Sequence, residues 1–272
     1  MLAIGAIFSY DFSMIHHDHY IDAHCHLSDP RVGGQAFSQI ERALSAGVRQ
    51  MMMGGLHEEE WGAQSRLKGK YPDVIQTSYG IHPWWIEKFD LLELDRMMSV
   101  LRKEVIHADA IGETGLDFYS KRNPSRFQDQ EYFFRQHIQL AEETNKPLVL
   151  HIVNAHERAL ALMNEEGSTV PAMVHSFSGS AEEARAWVTR GAIVSFSGSI
   201  LMEPRRKKVI EALKAVPLDH LLFETDSPDQ AWREGVNEPS LVSEVYAGAA
   251  ELLQVSIAEL KEKVIANFSK IR

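Results

Sequence analysis

The sequence has a single cysteine, Cys25, among its 272 residues. One thiol cannot build an internal disulfide framework, and zinc modules that use several cysteines are excluded with it. Basic side chains are in deficit, 28 against 38 acidic ones, for a formal charge of −10. That sign rules out a basic nucleic-acid coat protein, whose affinity comes from excess cationic charge. No apolar run approaches the ~18 residues that span a bilayer, and no stretch rich in glycine, serine and proline marks a linker. The opening MLAIGAIFSYDF has a short apolar stretch with no basic segment before it, and Asp11 closes it early. It reads as a poor secretory signal, so the expected location is the cytoplasm, with no membrane partner.

What is present is an average globular composition, 44% hydrophobic and 24% charged, which can bury a full core. From Tyr20 onward, short β-rich runs alternate with helical patterns. The strand candidates are YIDAHCHL (20–27), VRQMMMGG (48–55), VIQTSYGI (74–81), ADAIGETG (108–115), LVLHIV (148–153), AMVHSF (172–177), AIVSFSG (192–198) and LLFETD (221–226). Between them, Phe37, Ile40, Ala43 and Leu44 share one helical face, and Phe133, Phe134, His137, Ile138 and Ala141 share another. Gly47, Pro147, Pro171, Gly191 and Pro217 stand where helices should stop before the next strand. Eight βα units in series predict a (β/α)8 TIM barrel over 20–272, preceded by a flexible extension over 1–19. An open doubly wound sheet is the alternative, but no glycine-rich turn follows the first strand.

In such a barrel the chemistry belongs to the carboxyl ends of the strands. His24 and His26 alternate with Cys25, so both imidazoles share one face of an extended chain. Glu113 closes the fourth strand, His151 the fifth, His175 the sixth and Asp226 the eighth. Any one of these has an ordinary reading, as a hydrogen-bonded core histidine or a turn-opening aspartate. Polar ligand types at five strand ends together point to a metal site. Four imidazoles and two carboxylates exceed what one tetrahedral catalytic ion uses while keeping a position open. Two divalent ions are therefore expected, bridged by Glu113, with His24, His26 and Asp226 on one and His151 and His175 on the other. A water held between them would lose its proton near neutral pH, and Asp226 would accept it. Imidazole-rich ligation favours zinc, manganese or iron over magnesium.

The segments DAHCHL, GIHP (80–83), GETGLD (112–117), His151, HSFSG (175–179) and ETDSP (224–228) resemble the signatures of TatD-related metal-dependent deoxyribonucleases of the amidohydrolase superfamily. The resemblance runs from Tyr20 to the C-terminus. It implies a metal-dependent hydrolase with Mg, Mn or Zn at the residues above. The substrate it implies is single-stranded DNA or DNA ends, or RNA, cleaved at phosphodiester bonds as an exonuclease. It also implies that His82 contacts a phosphate or leaving group, the alternative being a loop cap beside Pro83. Two positions depart from the family pattern: Val153 stands for the arginine of an HxR motif, and Val236 for the arginine of RNEP. Arg205, in EPRRKK (203–208), is the expected compensating contact. Trp84, Trp85, Phe118, Tyr119 and Trp232 lie in the same loops and could stack on bases, with at least one of Trp84 and Trp85 expected to pack on the barrel instead. Two rivals remain: an amidohydrolase-like enzyme on a small amide, lactone or phosphoester, and a partner subunit without nuclease turnover.

Overall fold

The computed structural model describes residues 18–119, 122–202 and 206–272. Eight parallel strands pair in chain order: β1 (Tyr20–Cys25), β2 (Val48–Gly55), β3 (Ile75–Tyr79), β4 (Ala110–Asp117), β5 (Leu148–Val153), β6 (Ala172–Val174), β7 (Ile193–Phe196) and β8 (Leu221–Phe223). Helices α1 (Ala36–Ser45), α2 (Glu58–Lys70), α3 (Pro83–Lys88), α4 (Leu91–Glu104), α5 (Phe127–Thr144), α6 (His156–Glu165), α7 (Ala181–Thr189), α8 (Arg206–Ala215), α9 (Val242–Leu253) and α10 (Ile257–Phe268) surround them. The ring is drawn shut just past β8, where Asp226 donates its backbone N–H to the His24 carbonyl (3.0 Å) and His26 donates to Ser227 (2.7 Å). This is the (β/α)8 barrel expected. Its closing seam joins three residues of the candidate metal cluster and its immediate neighbour.

The strands are buried on both faces, as parallel strands under helices must be, which is why LVLHIV and AMVHSF read as continuous apolar runs. Helix α5 turns Phe133, Phe134, His137, Ile138 and Ala141 inward, as its periodicity predicts. In α1, Ile40 and Ala43 are buried, but Phe37 is 44% exposed. It sits in the first turn of the helix, where Lys70 Nζ covers its ring at 4.1 Å. Gly47 (φ 88°) and Gly191 (φ 87°) supply the left-handed residue that ends a helix before β2 and β7.

Five strands are shorter than the sequence pattern predicts, and β6 and β8 each stop three residues before the expected end. Pairing stops at Val174 in β6 and at Phe223 in β8, because Ser176 (φ 42°) and Asp226 (φ 53°) turn the chain into the left-handed region. The residues lost from the ladder carry functional side chains. Of the extension over 1–19, residues 1–17 lie outside the described residues, as does Arg205. Among the described residues no single helix is long and apolar enough to cross a membrane.

Candidate active site at the barrel mouth

Glu113 is the centre of the site. Its Oε2 lies 3.1 Å from His24 Nε2 and 3.4 Å from His26 Nε2, while Oε1 lies 2.7 Å from His175 Nε2, 3.2 Å from His151 Nδ1 and 3.3 Å from His82 Nε2. One carboxylate thus divides its two oxygens between two sets of imidazoles. Asp226 Oδ1 joins from the seam, 3.4 Å from His26 Nε2. All seven side chains are buried or nearly so.

Local structure sets the direction of each ring. His26 Nδ1 lies 3.2 Å from the Gly54 carbonyl and donates its N–H there, so in the neutral ring Nε2 is the nitrogen with a lone pair to offer a cation. His175 Nδ1 lies 3.3 Å from Glu224 Oε1, which also accepts the Ser176 backbone N–H at 2.7 Å. That leaves His175 Nε2 as a second lone pair pointing at Glu113. His82 takes the capping position that was the alternative reading for it: Nδ1 caps α3 by accepting the Trp84 N–H (3.0 Å), while Nε2 faces Glu113 at 3.3 Å. Asp117, four residues beyond Glu113 at the end of β4, accepts from Trp84 Nε1 (2.6 Å) and Arg122 Nε (3.0 Å) and lies 3.6 Å from His151 Nε2.

Acceptors converging in this way repel unless a cation lies among them. Burial works against a charged imidazole at His24 and His82, and His82 is pushed down to about 4 by burial and the neighbouring His151. His26 goes the other way: burial opposes its charge, but the hydrogen bond to Asp226 and the charge of Glu113 raise it to about 9. Burial likewise opposes a charged Glu113, yet His175, His24 and His82 hold its carboxyl well below the usual range. Against burial, the carboxylates draw protons onto two further rings: Asp117 and Glu113 raise His151, and Glu113 with Glu224 raises His175, while burial keeps His24 and His82 neutral. Nδ1 of His24 and Nε2 of His151 are buried without a hydrogen-bond partner. Neutral imidazoles and carboxylates are the donor set of a divalent transition metal.

Three sets of ligand atoms lie within 4.8 Å of one another: His24, His26 and Glu113; His24, His175 and Asp226; His82, Glu113 and His151. Together they form a binuclear divalent-metal site. The six residues expected as ligands are brought together, and His82 stands among them, whereas the sequence reading had it as a substrate contact. Deeper still, Asp22 accepts from Thr225 Oγ1 (2.6 Å) and the Thr225 N–H (2.8 Å), and burial raises its carboxyl to about 8.

Several supports went unread in the sequence. Glu224 stands two residues before Asp226 and opens the ETDSP segment, and that spacing and likeness were its signals. Gly54 carries no side chain where one would strike His24 and His26. Of the aromatic candidates, Trp84 and Tyr119 line cavities at the mouth. Trp85 packs on Phe89 and His57, Phe118 stacks on Phe127, and Trp232 gives its indole N–H to Glu244 (3.0 Å). Val153 lines a cavity at the mouth, while Val236 is 66% exposed and lines neither of the two that touch the cluster.

A barrel closed over a buried histidine–carboxylate cluster defines a metal-dependent hydrolase of the amidohydrolase type. The family model described as TatD related DNase matches residues 21–271, and the chain belongs to that family. The metal-dependent hydrolase YabD of Bacillus subtilis is 31% identical over 258 residues, 92% of this chain and 97% of its own. The 3′-5′ ssDNA/RNA exonuclease TatD of Salmonella typhimurium is 35% identical over 191 residues, 70% of this chain and 71% of its own. The crystal structure of the TatD homologue YjjV from Escherichia coli superposes with a TM-score of 0.82 at 26% identity, covering 93% of this chain and 97% of that one.

Proposed function

We propose that the protein is an exonuclease that hydrolyses phosphodiester bonds in single-stranded DNA, frayed DNA ends or RNA, acting in the cytoplasm. The observation that carries this reading is the division of Glu113's two oxygens between His24 and His26 on one side and His82, His151 and His175 on the other. The exonuclease name of the Salmonella relative supports the substrate class. The lone thiol, Cys25, is buried and unpaired, which suits a reducing compartment.

His24, His26, Asp226 and Glu113 would hold one ion, and His151, His175 and Glu113 the other, with His82 beside the second. When bound, a divalent pair activates water and neutralises charge on the phosphoryl oxygens. The chain's own groups do the rest. Asp226, facing the cavity and paired with His26, accepts the proton released by the attacking water. Glu224 holds His175 by its Nδ1–H and fixes which nitrogen faces the site. Beneath the cluster Asp22 and Thr225 are fully buried and hydrogen-bonded to each other.

The test is 5′-labelled single-stranded DNA incubated with Mg²⁺ or Mn²⁺ beside a panel of small esters, lactones and amides. Stepwise shortening of the DNA is expected. Turnover confined to the small panel would replace this reading by hydrolysis of a small substrate, a reading that draws on apolar Val153 at the mouth. Retained metal with no turnover on either would leave a partner subunit.

A further inference from the structure

The cluster opens in two directions. One cavity, of 380 Å³, is bounded by Arg31, Asp29 and Asp229. The other, of 520 Å³, leads past Trp84 between Arg122 on one wall and Lys208 on the other. The two share Trp84, His151, His175, Asp226 and Gln230, so they meet at the metal ligands.

Their cations differ in what they have free. Arg31 is committed to two carboxylates, Asp29 and Asp229, with its terminal nitrogens 2.6 to 2.8 Å from their oxygens. Among the described residues Arg122 is hydrogen-bonded at one edge: Nε donates to Asp117 at 3.0 Å, and its guanidinium carbon lies 4.5 Å over the Trp84 ring. Its nearest other carboxylate oxygen, on Glu87, is 4.0 Å away, beyond hydrogen-bond reach. The terminal N–H groups of a guanidinium already held in place are available to an anion, and little side-chain freedom is lost when one binds. Lys208, in the first turn of α8, is exposed, and among the described residues it has no carboxylate partner. Ser176 and Ser178 add neutral polar groups to the same groove, and Tyr119, 40% exposed, adds an aromatic face.

We propose that this groove is the path of the nucleic-acid strand away from the scissile bond, with Arg122 and Lys208 holding backbone phosphates and Tyr119 serving as a platform for a base. The inference rests on the nuclease reading above. It gives an acidic protein a local cationic track, built from the segment after β4 and the first turn of α8 and not from one motif. Recognition through phosphates and a ring face is indifferent to base identity, as an exonuclease requires.

The test is binding of a fluorescein-labelled phosphorothioate oligothymidylate, which resists cleavage, followed by anisotropy over a range of salt concentrations. Each phosphate neutralised on a single strand contributes about 0.7 to the slope of log K against log salt. Arg122→Ala and Lys208→Ala are each expected to reduce the slope by about 0.7, and the double variant by about 1.4. Lys208→Arg should keep the wild-type slope. Tyr119→Ala should weaken binding roughly tenfold with the slope unchanged, since stacking releases no counterions. Lys208→Ala removes no native partner, so it carries the test even where Arg122→Ala disturbs the tie to Asp117. A wild-type slope in the double variant, while the wild-type protein binds and shortens DNA, overturns the groove assignment alone. A wild-type protein that neither binds nor shortens DNA overturns the nuclease reading and this inference with it.

Discussion

Gly54 lies so close to the His24 imidazole that a methyl group on it would stand 2.4 Å from Cε1 and 2.6 Å from Nε2, and 2.8 Å from Cε1 of His26. The second glycine-rich strand end therefore makes room for the two rings of the first. Neither ring can swing away, because both are buried against Glu113.

Gly54→Ala should displace the imidazoles and reduce bound metal and turnover by about tenfold or more, the scale seen when ligand supports are lost. Overpacking should cost about 1–3 kcal/mol of stability while leaving the barrel folded. Elemental analysis with a thermal melt reads both. Wild-type metal content would show that the rings have other room.

Glu224→Gln removes the anionic partner of His175 Nδ1 without changing shape. Metal affinity should fall by about 10- to 100-fold, with a smaller loss of kcat once metal is saturating. Glu113→Gln should be more severe, since a neutral amide bridges two cations poorly. Calorimetric metal titrations rank the two, and the reverse order would place the bridge elsewhere.

Val153 and Val236 are separated by the structure. Val153→Arg puts a cation into the 520 Å³ groove and should steepen the salt slope for single-stranded DNA by about 0.7. Val236→Arg, on an exposed loop away from both cavities at the cluster, should leave it unchanged. Anisotropy at several salt concentrations checks both, and equal effects would mean that the strand passes Val236 as well.

His137 bears on acid stability. It accepts the Ile81 N–H at Nε2 (3.0 Å), sits 2.7 Å from the Phe133 carbonyl through Nδ1, and is pushed by burial from an ordinary 6.5 down to about 4. Between those values the unfolded chain takes up a proton that the folded chain refuses. Stability from this residue is complete above pH 6.5 and falls as pH drops toward 4, by up to roughly 3 kcal/mol. His137→Gln, which keeps an acceptor for Ile81, should be less stable at pH 7 yet lose less on acidification. Urea unfolding at pH 7 and 4.5 measures this. Parallel declines for the two proteins would assign the acid sensitivity to other groups.

The barrel was legible because its signal is local. Each strand carries its own apolar run, each helix its own stripe, and Gly47 and Gly191 mark where one stops before the next begins. The cluster was legible for the same reason: His24 with His26, Glu113, His151, His175 and Asp226 each lie within a few residues of the carboxyl end of a strand that the apolar pattern locates. Strand limits were harder. The ladder stops at Val174 and Phe223 because Ser176 and Asp226 turn left-handed, and no apolar pattern announces that turn.

By itself, then, the sequence determined eight βα units, the strand ends that bear imidazole or carboxylate, and a family likeness along almost the whole chain. Only the tertiary structure decided how Glu113 divides its oxygens, that His82 joins the cluster while capping α3, that Gly54 clears space for His24, and that Trp84 faces the mouth while Trp232 packs away from it. The physical reason is the closure of the ring. Side-chain alternation along one strand follows from its own backbone, but the distance from Glu113 to rings on β1, β5 and beyond β6 depends on strand tilt and stagger around the whole barrel. Those are properties of eight strands at once, and no local run of residues encodes them.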